Sequence, residues 1–114
     1  MTEITRHLKM EETACPCGCG FGLNKGDLSP DIAAAYEEIH RRTGLLRSAN
    51  VPIQVTSGCR CPRHNSYIGG AENSRHTKGD ALDLLCPAEI SYRKFYEICS
   101  LVIGERGGVG WYYP

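Results

Sequence analysis

The stretch from Ser57 to Leu84, SGCRCPRHNSYIGGAENSRHTKGDALDL, decides how this chain is read. Within it His76 and Asp83 stand seven positions apart, with Gly79 and the small Ala81 between them and the apolar Leu84 and Leu85 after them. An imidazole on a loop and a carboxylate at the start of a strand converge on one ion if the chain turns between them, and glycine is the residue that turns most freely. Zinc is the natural candidate, because nitrogen and oxygen donors with an open position suit catalytic zinc. The pair by itself is a weak signal: a lone His and a lone Asp at this spacing occur by chance in many proteins, and two ligands do not make a catalytic zinc site.

The surrounding residues sharpen it. Ser74-x-His76-x-x-Gly79-x-Ala81-x-Asp83 is preceded by Ser57-Gly58-x-Arg60, by Asn65 and by Gly69-Gly70-Ala71. This ordered string resembles the zinc D-Ala-D-Ala peptidases of the M15 type, whose fold is shared with the signalling domain of Hedgehog proteins. The resemblance covers most of residues 14 to 112 and is densest from Ser57 to Leu84. It implies a zinc cofactor with His76 and Asp83 as two of three ligands, and a peptidoglycan peptide as substrate. It also implies that Arg60 lies in the active site, where a guanidinium holds a carboxylate or stabilises an oxyanion. Ser74 either bonds substrate or shapes the loop before His76, and on this reading Trp111 is expected at the substrate cleft with Arg60. In such peptidases the third ligand is a histidine on a final strand, beside a Glu or His that acts as general base, beyond an approach matched here by Gly108-Val109-Gly110-Trp111-Tyr112. No histidine follows His76 in this sequence. We therefore expect the 114 residues to stop just short of that strand, the competing expectation being a degenerate member without metal or base.

Composition narrows the alternatives. A chain of 114 residues makes one domain. Within it residues 1 to 28 are expected to form an irregular N-terminal lead-in, and residues 29 to 114 the peptidase-like part. Thirteen basic and 13 acidic residues balance to zero, against the basic excess of a nucleic-acid surface. No apolar run of about 18 residues encodes a membrane span. The N-terminus MTEITRHLKMEET lacks the apolar core of a secretory signal, so a cytoplasmic origin is expected, with delivery to a cell wall through phage lysis or a virion.

Seven cysteines cannot all pair within one molecule. Five fall in two clusters, Cys15-Pro-Cys17-Gly-Cys19 and Cys59-Arg-Cys61, while Cys86 and Cys99 sit in apolar settings like small core residues. Reduced thiols, a disulfide and a structural zinc gathered from both clusters all remain open.

Along the chain, Leu8, Met10 and Phe21 are expected to anchor the lead-in. Ser29 as cap, Pro30 and Asp31 signal a helix whose apolar face is Ile32, Ala35, Tyr36, Ile39 and Leu46. His40 on that helix, and His64 and Asn65 further on, read as packing, surface or turn residues. Ile53 to Thr56 alternates as a half-buried strand, Cys61-Pro62 opens a short helical turn, and Ala81 to Leu85 is a second strand ended by Pro87. Ser91 begins a second helix with Phe95, Ile98, Cys99, Val102 and Ile103 inward, and Val109 to Tyr113 is a third strand. The order predicts an α+β fold, with helices packed on a small, mainly antiparallel sheet. Two functions fit it: a zinc peptidase acting as D-Ala-D-Ala carboxypeptidase or cell-wall endopeptidase, and an inactive binding module of the same fold.

Overall fold

A computed structural model of the chain describes residues 3–47 and 51–110. The fold is α+β: β1 (Glu3–Thr5), β2 (Leu8–Lys9), α1 (Met10–Thr13), α2 (Pro30–Arg42), β3 (Val55–Ser57), α3 (Pro62–Tyr67), β4 (Asp83–Leu84) and α4 (Tyr92–Ile103). One turn of 3₁₀ helix, Arg75–Lys78, precedes β4, and another, Gly104–Arg106, follows α4. The strands form two separate antiparallel pairs, β1 with β2 and β3 with β4.

Pro30 opens α2 directly after Ser29, which stands at the cap position but makes no side-chain cap bond, whereas the hydroxyl of Ser91 accepts the Lys94 N–H to cap α4. Both turn an apolar face inward. Ala33, Tyr36 and Ile39 of α2 and Phe95 and Cys99 of α4 meet Leu8, Leu28, Ile53, Cys59 and Ile90 in one core. The Tyr36 hydroxyl reaches through it to donate to the Ile53 carbonyl at 2.6 Å, tying α2 to the approach of β3. Burial pushes the Cys59 and Cys99 thiols up to about 11, so both stay neutral and act as small apolar filler.

Several expectations need correcting. Residues 3 to 13 of the lead-in are ordered as the β1–β2 hairpin and α1 rather than irregular, with Leu8 fully buried. The hairpin is held to α2 by side chains: His7 Nδ1 lies 2.9 Å from Glu37 Oε1, and its ring stacks on His40 with centroids 3.8 Å apart. His40 is thus a packed residue. Leu46 is exposed, because α2 ends at Arg42 and Thr43 caps the preceding carbonyls with its own hydroxyl. The sheet is also smaller than predicted: only Val55–Ser57 and Asp83–Leu84 pair, since the register shifts between them. Val109 and Gly110 are not in a strand, and Trp111 to Tyr113 lie outside the described residues. No helix among the described residues is long and apolar enough to cross a membrane.

Replacing Tyr36 by Phe keeps the packing but leaves the buried Ile53 carbonyl without its donor. Urea unfolding should show a loss of about 1 to 2 kcal/mol with an unchanged denaturant slope.

Candidate active site

The 3₁₀ turn Arg75–Lys78 presents His76 to the end of β3. Ser74 starts the turn by accepting the His76 N–H at 3.3 Å, and Gly79 ends it in the left-handed region at φ 68°. No other residue type fits at Gly79, because a Cβ there would stand 1.8 Å from the Asp27 carbonyl oxygen. An ion pair between Arg75 and Asp80 closes the loop on its outer side. The chain then enters β4 at Asp83, which pairs with Ser57 of β3.

These turns bring the two predicted metal ligands together. His76 Nε2 lies 3.3 Å from Asp83 Oδ1. The other ring nitrogen is 2.7 Å from the Gly58 carbonyl, which can only accept, so Nδ1 carries the hydrogen. That bond fixes the ring plane and leaves Nε2 free to take a proton or a cation beside the carboxylate. Two donors about 2.0 to 2.1 Å from one tetrahedral ion stand about 3.3 Å apart, so the pair as it stands fits two corners of a zinc site. Among the described residues no third His, Cys, Asp or Glu joins them.

Arg60 leaves β3 three residues beyond Ser57 and lies across the same loop. Its N–H donates to the His76 carbonyl at 3.0 Å. Its guanidinium donates to Asn65 Oδ1 at 2.9 Å and to Ser57 Oγ at 3.1 Å, and among the described residues no carboxylate pairs with it. Asn65 has the turn role read from the sequence, its carbonyl accepting the Gly70 N–H at 2.8 Å, and a further contact that was not expected. Asn65 is buried, donates to the Ala71 carbonyl at 2.8 Å, and aims its oxygen at Arg60. Gly70 makes room for it, since a Cβ there would fall 2.1 Å from Asn65 Oδ1. The spacing of Arg60, Asn65 and Gly70 was the available signal, but nothing in it says that a helix bends back over the arginine. Ser74 sits at the mouth of the loop as its cap, and Trp111 lies outside the described residues.

The His76 pKa is raised above its usual value, chiefly by the hydrogen bond to Asp83 and against the opposing effect of burial; the Gly58 carbonyl adds to the rise and the Arg60 charge opposes it. A histidine whose folded pKa is raised adds stability that is fully present below its unfolded pKa of about 6.5 and is lost as pH rises through the folded value. With no metal added, NMR titration should give a His76 midpoint above that of a free histidine. Asp83→Asn should bring it down and remove this part of the stability gained toward low pH.

The curated proteins gave no match to this chain, and neither did the solved structures. The profile of the family described as Peptidase M15 matches residues 6–113. The helices and two small antiparallel sheets agree with the Hedgehog/DD-peptidase-like fold. The chain therefore belongs to the Peptidase M15 family.

Proposed function

We propose that this chain hydrolyses peptide bonds in peptidoglycan stem peptides, as a D-Ala-D-Ala carboxypeptidase or a cell-wall endopeptidase. The observation that carries this reading is a guanidinium held by neutral acceptors, with no acidic partner among the described residues, on a residue whose backbone N–H bonds the His76 carbonyl of the turn that leads to Asp83. A positive charge fixed in this way and left without an anion is prepared to receive one.

His76 and Asp83 would hold the zinc. When bound, zinc polarises a scissile carbonyl and supplies an activated water near neutral pH. The chain's own residues do the rest. Arg60 binds a terminal carboxylate with both arms of its fork, or faces the oxygen on which charge develops. Ser74, whose oxygen accepts the His76 N–H, keeps its hydroxyl hydrogen for a substrate carbonyl, and the flat indole of Trp111 would pack against the peptide. The Gly58 carbonyl holds the His76 ring so that only Nε2 faces the reaction.

The test uses zinc-supplemented protein expressed from the whole reading frame, with D-Ala-D-Ala-ended pentapeptides and with whole muropeptides, products being followed by mass spectrometry. Cleavage that disappears in His76→Ala is expected. Arg60→Lys keeps the charge but loses the fork, and should lower kcat/KM by about 10 to 1000-fold while the melting temperature holds. Peptide binding without any cleavage would instead make the chain a cell-wall binding module. Full turnover by Arg60→Lys would remove the arginine from the mechanism.

A further inference from the structure

We infer that Cys15, Cys17, Cys19 and Cys61 form a tetrathiolate zinc site, separate from the His76–Asp83 pair, that fastens the N-terminal loop to the start of α3. Their four sulfurs all lie within 4.8 Å of one another, and Cys17 Sγ stands 3.5 Å from both Cys15 Sγ and Cys61 Sγ. Sulfurs about 2.3 Å from one tetrahedral zinc are separated by about 3.8 Å, so a small adjustment seats the ion. A disulfide needs its sulfurs at about 2.05 Å and can use them only in twos, whereas here all four converge.

The loop is built to bring them there. Gly18 and Gly20 adopt φ +83° and +93°, curling the chain so that three alternating cysteines face one point. The loop then closes on its own beginning: Cys15 N–H donates to the Phe21 carbonyl at 2.8 Å, and a Cβ on Gly22 would stand 2.6 Å from Ala14 Cα. Backbone N–H groups point at three of the four sulfurs, from Cys61 to Cys15 Sγ at 3.4 Å, from Phe21 to Cys19 Sγ at 3.5 Å, and from His64 to Cys61 Sγ at 3.3 Å. Donors of this kind orient thiolate ligands and offset their charge. The remaining cysteines take no part: Cys59 and Cys99 are in the core and Cys86 packs against it. A tetrahedral, all-sulfur set excludes the hard cations and suits zinc, which needs no redox partner.

The site is independent of the proposed hydrolytic function, so the test removes the other metal ligands first. His76→Ala/Asp83→Ala protein, purified under reducing conditions with zinc supplied, should retain about one zinc per chain by elemental analysis. Cobalt substitution should give the intense near-ultraviolet bands of thiolate ligation. Adding Cys17→Ser/Cys19→Ser, at two exposed positions, should abolish both signals. Should that variant not fold, the wild-type chain can be titrated with an organomercurial and a zinc indicator, and zinc should leave in step with modification of four thiols. The proposal is overturned by loss of all zinc in the His76→Ala/Asp83→Ala protein. Zinc that survives Cys17→Ser/Cys19→Ser, recovery of these cysteines as disulfides from the reduced preparation, or iron as the resident metal would overturn it equally.

Discussion

Three segments of the chain cross at Gly58, and the rest of the structure depends on how closely they approach. A Cβ at this position would meet the Thr13 Cα and carbonyl oxygen at 2.7 Å, so only glycine lets β3 pass directly over the end of α1. Cys59 uses the approach to donate to the Thr13 carbonyl at 2.7 Å, while the Gly58 carbonyl, on the other side, receives His76 Nδ1 at 2.7 Å. The N-terminal segment, the strand and the histidine loop are thus fixed by bonds to two adjacent residues. Buried polar groups of this kind are costly when left unpaired, which makes the crossing an all-or-none arrangement. A side chain at Gly58 would separate α1 from β3 and move the carbonyl that orients His76.

The same crossing bears on the electrostatics around His76. Arg60 and His76 are joined through the backbone, so the guanidinium and the imidazole keep a fixed relation whatever occupies the space between them. The charge of Arg60 opposes protonation of His76, and the Asp83 carboxylate favours it more strongly. A cation arriving beside Asp83 replaces that proton, and an anion arriving beside Arg60 has no internal carboxylate among the described residues to displace. Neutral partners on Arg60, an amide and a hydroxyl, orient the fork without cancelling its charge.

What could be read from sequence follows from range. Ser91 with its apolar stripe, and Ser29-Pro30 with theirs, are local signals, and both helices stand where they place them. The convergence of His76 with Asp83 was also legible, because Gly79 lies between them and only a tight turn uses it. The hairpin at Glu3 to Lys9 was not, since strands of two and three residues are too short for alternation to register, and its contacts are long-range: Leu8 in the core and His7 on Glu37 thirty residues away. The contact of Asn65 with Arg60 was hidden for a related reason. The bond spans five positions but depends on Gly70 yielding space, a steric condition that residue identities do not display. The alternation at Ile53 to Thr56 gave the right face, with Ile53 buried and Gln54 exposed, yet overestimated the ladder, because the register shifts between Val55 and Ser57 of this strand itself.

The loop from Ala14 to Leu28 poses the remaining physical question. It contributes few apolar side chains to the core, mainly Leu28, Phe21 and the buried Cys15, and otherwise consists of glycine turns and exposed polar residues. Asp27 gathers part of it by accepting the Gly22 N–H at 2.9 Å and the Asn24 N–H at 3.1 Å, bonds that hold the Asp27 pKa below its usual value. Glycines at positive φ carry a large conformational entropy in the unfolded chain, so ordering this loop draws on its backbone turns, such as Cys15 N–H to the Phe21 carbonyl and Leu23 N–H to the Gly20 carbonyl, as well as on its few apolar side chains. Small folds with too little core commonly recover the difference with a metal, whose binding free energy becomes folding free energy. Four sulfurs gathered from positions 15 to 19 and from Cys61 would supply that linkage in the zinc site proposed above, and because Cys61 adjoins Arg60 the same ion would order the loop next to the residue that carries the guanidinium.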